Sequence, residues 1–177
     1  MRWLPSAPEA DVVTRAEAEA AARQAAASIG IEAIDLGIHP RGDTAARMSV
    51  VGWNTWLWAE SPSSTQWGTM STSATAAGIT VSLNASSSQV TWSMGDGATV
   101  SCGQGTRWTM AGTGGRNVPS PDCGYVYDSE GRYTVTASTD WSIDWSAAGY
   151  SGTIPLEVRR SAEVIVGEMQ SVNLAGA

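Results

Sequence analysis

A chain of 177 residues with a net charge of −7 is long enough for one good hydrophobic core, or one core with a small appendage. Its ten basic residues are all Arg and lie scattered along the chain, which argues against a phosphate-binding surface for nucleic acid and against docking on an anionic membrane. Trp occurs nine times, Phe is absent, and Gly, Ser, Thr and Ala abound: a composition for short strands and tight turns, with no apolar run near the roughly 20 residues of a membrane span.

In chain order, residues 1–10 are Pro-rich and expected to be irregular. Met1 to Pro8 lacks the apolar stretch of a secretory signal, so an exported protein would need a longer parent chain with its signal upstream. Asp11 to Ser28, rich in Ala, Glu and Arg, predicts a helix. Thr14 and Glu17 have the spacing of a capping box, and Gly30 supplies a stop. The apolar face of this helix is mostly Ala, so it needs a partner surface.

Ile31 to Ile38 is β-branched and ends at His39-Pro40, and residues 41–47 read as a turn or loop. Met48 to Ala59 predicts two short strands arranged as a hairpin. With the helix they form an N-terminal unit over residues 1–62, closed by the linker-like Ser61-Pro62-Ser63-Ser64. Residues 63–177 then read as a β domain. Thr69 to Ala76 and Ile79 to Ala85 flank a turn at Ala77-Gly78. Gln89 to Met94 and Ala98 to Cys102 flank Gly95-Asp96-Gly97, where glycine supplies positive φ. Gly103 to Cys123 is a long Gly- and Pro-rich loop.

The clearest periodicity runs from Tyr133 to Trp145, where Tyr133, Val135, Ala137, Thr139, Trp141, Ile143 and Trp145 alternate with polar residues. Ala147 to Gly152 predicts a turn. Thr153 to Val166 returns with Val158, Ala162, Val164 and Val166 on one face. Both arms exceed the usual strand length, so the hairpin should bend at a bulge or project past the rest of the domain. Cys102 and Cys123 fit a disulfide or two buried thiols. The loop-like segment between them favours the disulfide.

At Trp92-Ser93-Met94-Gly95-Asp96-Gly97 the chain resembles the PKD family of immunoglobulin-like domains. Tyr127 and Gly131-Arg132-Tyr133-Thr134-Val135 match the second half of that family's pattern. Met94 stands where an aromatic is usual, and Tyr125 where a His often sits. The likeness covers roughly residues 67–172. It implies a mainly β, Ig-like antiparallel sandwich, here with a short N-terminal helix and a small β appendage. Trp92 is then a core anchor, Asp96 holds the turn by accepting backbone N–H bonds, and Tyr127 packs at the corner with its hydroxyl bonded locally. The same segments, with Ser120-Pro121-Asp122-Cys123-Gly124, resemble uncharacterised exported proteins of high-GC Gram-positive bacteria. That likeness implies an extracytoplasmic place and no particular activity.

Catalytic signals are sparse. His39 is the only histidine, and it lies in no nucleophile, metalloprotease or phosphate-loop motif. Gly112-Thr113-Gly114-Gly115 lacks the strand and helix of a dinucleotide site. Asp140 and Asp144 on one strand face would stand about 13 Å apart, too far for a glycosidase pair. Asp96, Asp122, Asp128 and Glu130 are weak Ca²⁺ candidates whose order matches no known calcium loop. No cofactor is called for. The tryptophans are the functional lead: Trp141 and Trp145, with Ile143, would form a partner-binding face if the hairpin projects. The expectation is a non-enzymatic, secreted or envelope module making protein–protein contacts. The alternatives are a carbohydrate-binding module using exposed Trp, or an accessory structural protein of a secretion or conjugation apparatus or of a phage particle.

Overall fold

The computed structural model describes residues 12–169. Helix α1 (Arg15–Ser28) starts where the capping box places it. The Thr14 hydroxyl accepts the Glu17 N–H at 3.3 Å, and the Glu17 carboxylate accepts the Thr14 N–H at 2.8 Å. Gly30, at φ +72°, supplies the left-handed exit.

Next come β1 (Leu36–His39), a 3-10 turn at Ala45–Arg47, β2 (Ser49–Val50) and β3 (Asn54–Ala59). The hairpin of β4 (Gly68–Ala76) and β5 (Ile79–Ser87) follows, then β6 (Val90–Ser93), β7 (Thr99–Cys102) and the single helical turn α2 (Met110–Thr113). Strand β8 (Gly124–Val126) precedes the long hairpin of β9 (Gly131–Ala147) and β10 (Tyr150–Gly167). Two hairpins turn on dipeptides with both residues at positive φ. These are Ala77-Gly78 at 50° and 78°, and Ala148-Gly149 at 49° and 82°. That geometry matches the right-handed twist of the flanking strands. The second turn is tighter than the expected Ala147 to Gly152, because pairing continues to Ala147 opposite Tyr150.

The protein is mainly β, with two sheets and a short helix. The small sheet has the order β1-β3-β8. The larger runs β2-β10-β9-β5-β4, with β6 joined to β9 and β7 to β6, and it curls into a half-barrel. Strand β9 organises it. On one side β10 pairs along the whole of β9. The other side is shared: Thr136 to Thr139 pair with β6, and Ser142 to Ser146 with β5. The hairpin is long because one continuous strand spans two cores.

The first core lies between the sheets. Ile38, Leu57 and Ala59 of the small sheet meet Val90, Trp92, Val135, Ala137, Val164 and Val166 of the large one. The second lies under α1. Ala18, Ala21, Ala22, Ala25 and Ala26 pack on Val81, Leu83, Ala85, Trp141, Ile143 and Trp145. Each alanine methyl contributes only about 0.8 kcal/mol of burial. What the small residues provide is close approach, so that the helix backbone can lie on large indoles.

One sequence expectation changes. Met48 to Ala59 is not a hairpin: β2 pairs parallel with the end of β10, whereas β3 lies between β1 and β8. β1 and β3 need β8 to complete their sheet, and their apolar face closes over Trp92. Among the described residues, no helix is long and apolar enough to cross a membrane.

Candidate binding groove

The two halves of the Trp92 to Val135 motif meet in three dimensions. Trp92 is fully buried between the sheets. Asp96 accepts the Ala98 N–H at 3.0 Å, closing the turn, and the Tyr125 hydroxyl at 2.6 Å. The buried Tyr127 hydroxyl donates to the Met94 carbonyl at 2.9 Å, and its ring stacks on Tyr133 with centroids 4.5 Å apart. Gly95 has φ +85°, and a Cβ there would lie 2.8 Å from the Thr134 backbone N and O. Gly97 also has positive φ, and Gly131 opens β9. Burial raises the Asp96 pKa, but the Tyr125 and Ala98 hydrogen bonds outweigh it and hold the group below the usual carboxylate range. The bond to Asp96 pushes Tyr125 up to about 12, while burial raises Tyr127. The burial of Trp92 and the Asp96 turn bond have a local sequence signal; the Tyr125–Asp96 bond, the Tyr127–Tyr133 stack and the approach of Gly95 to Thr134 do not.

The calcium candidates do not assemble. Among the described residues no group of three or more His, Cys, Asp and Glu side chains could hold a metal ion. Asp122 is occupied elsewhere, accepting the Thr106 N–H at 2.9 Å and the Thr106 hydroxyl at 2.8 Å. Asp128 and Glu130 are exposed on the turn before β9.

The hairpin tryptophans are not a free surface either. Trp141, Ile143 and Trp145 are 2%, 1% and 4% exposed, because α1 lies across them. The expectation that a projecting hairpin bares its apolar face fails for this reason: the alanine face of α1 and the indole face of β9 are each other's partner. Gly152 makes room, since a Cβ there would come within 2.9 Å of the Trp145 indole nitrogen. Asp140 and Asp144 face solvent, and Asp144 accepts the Thr153 hydroxyl at 2.6 Å.

A cleft lies beside β1. Cys102 and Cys123 are joined in a disulfide, with Cα atoms 5.7 Å apart. The loop between them is stitched onto β3 rather than loose. The Ala59 N–H donates to the Gln104 carbonyl at 2.7 Å, the Trp56 indole to the Val118 carbonyl at 2.8 Å, and the Asn54 N–H to the Asn117 side chain at 2.9 Å. The Gly-Thr-Gly-Gly segment closes α2, with Gly114 in the left-handed conformation. So anchored, the loop carries Arg107 and Trp108 over β1, where the Trp108 ring stacks on His39 at 3.6 Å and 10°.

The result is a groove of about 430 Å³ along the outer edge of β1, with Ala162 and Glu163 of β10 as its far wall. It is tied at both ends. Asp35 pairs with Arg160 at one, and the Ile165 N–H donates to the Gly42 carbonyl at 2.7 Å at the other. Glu60 organises the rim: one oxygen takes the Trp58 indole N–H at 2.8 Å, the other the Arg107 guanidinium at 2.9 Å. Trp58 lies over Gly37, where any Cβ would occupy the indole's place. Arg41 and Asp43 complete the polar lining. Burial pushes the His39 pKa down, favouring the neutral ring. Among the described residues no hydroxyl or carboxylate hydrogen-bonds that ring, and its closest aromatic neighbour is Trp108. The pairing of His39 with Trp108 has no local sequence signal, since the two are brought together only by the disulfide loop folding back.

Searches for similar proteins return no match to the chain, whether among family models, curated proteins or solved structures.

Proposed function

We propose that this chain is a non-enzymatic, extracytoplasmic binding module with an Ig-like, PKD-type architecture, and that it takes a segment of a protein partner in the groove between β1 and the disulfide loop. One observation carries this reading: with the hairpin tryptophans covered by α1, the groove beside β1 gathers partly exposed aromatic and charged side chains. Trp108 and His39 offer an aromatic wall, and Arg41, Arg107, Asp43, Glu60 and Glu163 a rim of both signs. A mixed-charge rim around a partly apolar cleft suits polypeptide better than a uniformly anionic polymer. The disulfide supports an oxidising compartment. The bonds from Tyr127 and Asp96 across the motif support the PKD-type reading.

A carbohydrate-binding role is the second reading, favoured by the half-buried Trp108 indole beside Glu60 and Arg107. Titration of intrinsic Trp fluorescence with soluble cell-wall glycans separates the two. The protein-binding reading expects no shift with any glycan, and capture of a discrete envelope protein that is lost in an Arg107→Glu, Trp108→Ala variant. Saturable quenching by a glycan, abolished by Trp108→Ala, would replace the protein partner with a sugar.

A further inference from the structure

The outer edge of β4 differs from the other long edge of its sheet. On the β10 side the strand carries Pro155, Glu157, Arg159, Arg160 and Glu163, the usual devices that keep an edge from pairing. On the β4 side, Gly68-Thr69-Met70-Ser71-Thr72-Ser73-Ala74-Thr75-Ala76 has no charge, no Pro and no bulge against β5. The neutrality extends well beyond the strand, since residues 61–95 contain no Asp, Glu, Lys, Arg or His. Among the described residues nothing pairs with this edge.

The strand is also self-complementary. It runs from 68 to 76, so an antiparallel pair with itself overlaps fully when Thr72 faces Thr72 of a second copy. That register sets Thr69 against Thr75 and Ser71 against Ser73 on the solvent face. On the inner face it sets Met70 against Ala74, both partly buried against the α1 core. Hydroxyl pairs and a large residue against a small one are favourable cross-strand neighbours. The even offset keeps every inner residue on the inner face, as strand alternation requires. For a chain of net charge −7, this uncharged edge is also where a second copy meets the least repulsion.

We infer that β4 is a self-association edge, on which a second copy adds its own β4 antiparallel about a two-fold axis at Thr72, continuing the sheet with both α1 helices on the same face. The contact is a strand pair and little more, so the dimer is weak and forms as concentration rises.

Sedimentation equilibrium of the full chain tests this, with an expected approach to twice the 18.4 kDa chain mass as concentration rises. Thr72→Lys places two cations face to face on the axis and should weaken the dimer about fivefold. Ser151→Lys, exposed on β10, should leave it unchanged. Thr72→Cys should form an intermolecular disulfide on mild oxidation, because facing Cα atoms in an antiparallel pair stand within disulfide reach. This readout stands even if the lysine variant folds poorly. A single-chain mass at the highest concentration reached would overturn the inference. So would a dimer that Thr72→Cys cannot lock, or one lost through Ser151→Lys instead.

Discussion

Gly95 sits where the Thr134 backbone leaves no space for a side chain, and φ +85° penalises any L-residue as well. Gly95→Ala should therefore destabilise the fold by about 2–4 kcal/mol in urea titration. Tyr127→Phe leaves the Met94 carbonyl buried without its donor and should cost about 1–2 kcal/mol. The Tyr125–Asp96 bond makes a pH prediction. Tyr125 is raised from 10.0 to about 12, so its stabilising contribution is complete below pH 10 and lost as pH rises through about 12. Asp96 is lowered, so its contribution is present above the ordinary carboxylate range and lost as pH falls through the depressed value. The stability gap between the wild type and Tyr125→Phe should thus be widest near neutrality and close by strongly alkaline pH. At this scale the sequence is informative where the geometry is local. Gly-Asp-Gly declares a turn, and a Trp between alternating residues declares a core. Tyr125 meets Asp96 across 29 positions, and no local pattern announces that.

For α1 and the β9–β10 hairpin, the sequence shows each element's form but not its partner. Capping residues locate the start of the helix, and strict alternation locates β9, because both depend on neighbours a few residues away. What covers the indoles of β9 depends on a helix more than a hundred positions earlier, so the apolar face reads as a vacant surface when it is a core. Ala22 is fully buried at that contact. Ala22→Leu keeps helix propensity but overfills the interface, and should cost about 1–3 kcal/mol with a red shift in Trp emission. The disulfide loop makes the complementary case, since its Gly and Pro content reads as flexible while its hydrogen bonds to β3 fix it. Reduction of Cys102–Cys123 should lower stability by about 3 kcal/mol in the chain-entropy model, with a change in Trp108 emission as the stack on His39 loosens.

On the scale of the whole molecule, the small sheet draws its strands from segments separated by the β4–β7 region, and β2 joins β10 in parallel. Non-local pairings of this kind leave no periodic trace in the sequence. They also build the groove, whose walls come from β1, β3, the disulfide loop and β10. Its role is tested most directly by placing a photo-crosslinking side chain at Arg107 and, separately, at Ser142 on the exposed face of β9, then illuminating each with an envelope fraction. One discrete protein adduct is expected from position 107, absent from position 142 and lost when Trp108→Ala is added. Equal labelling from both positions, or adducts at 107 that survive Trp108→Ala, would contradict that role.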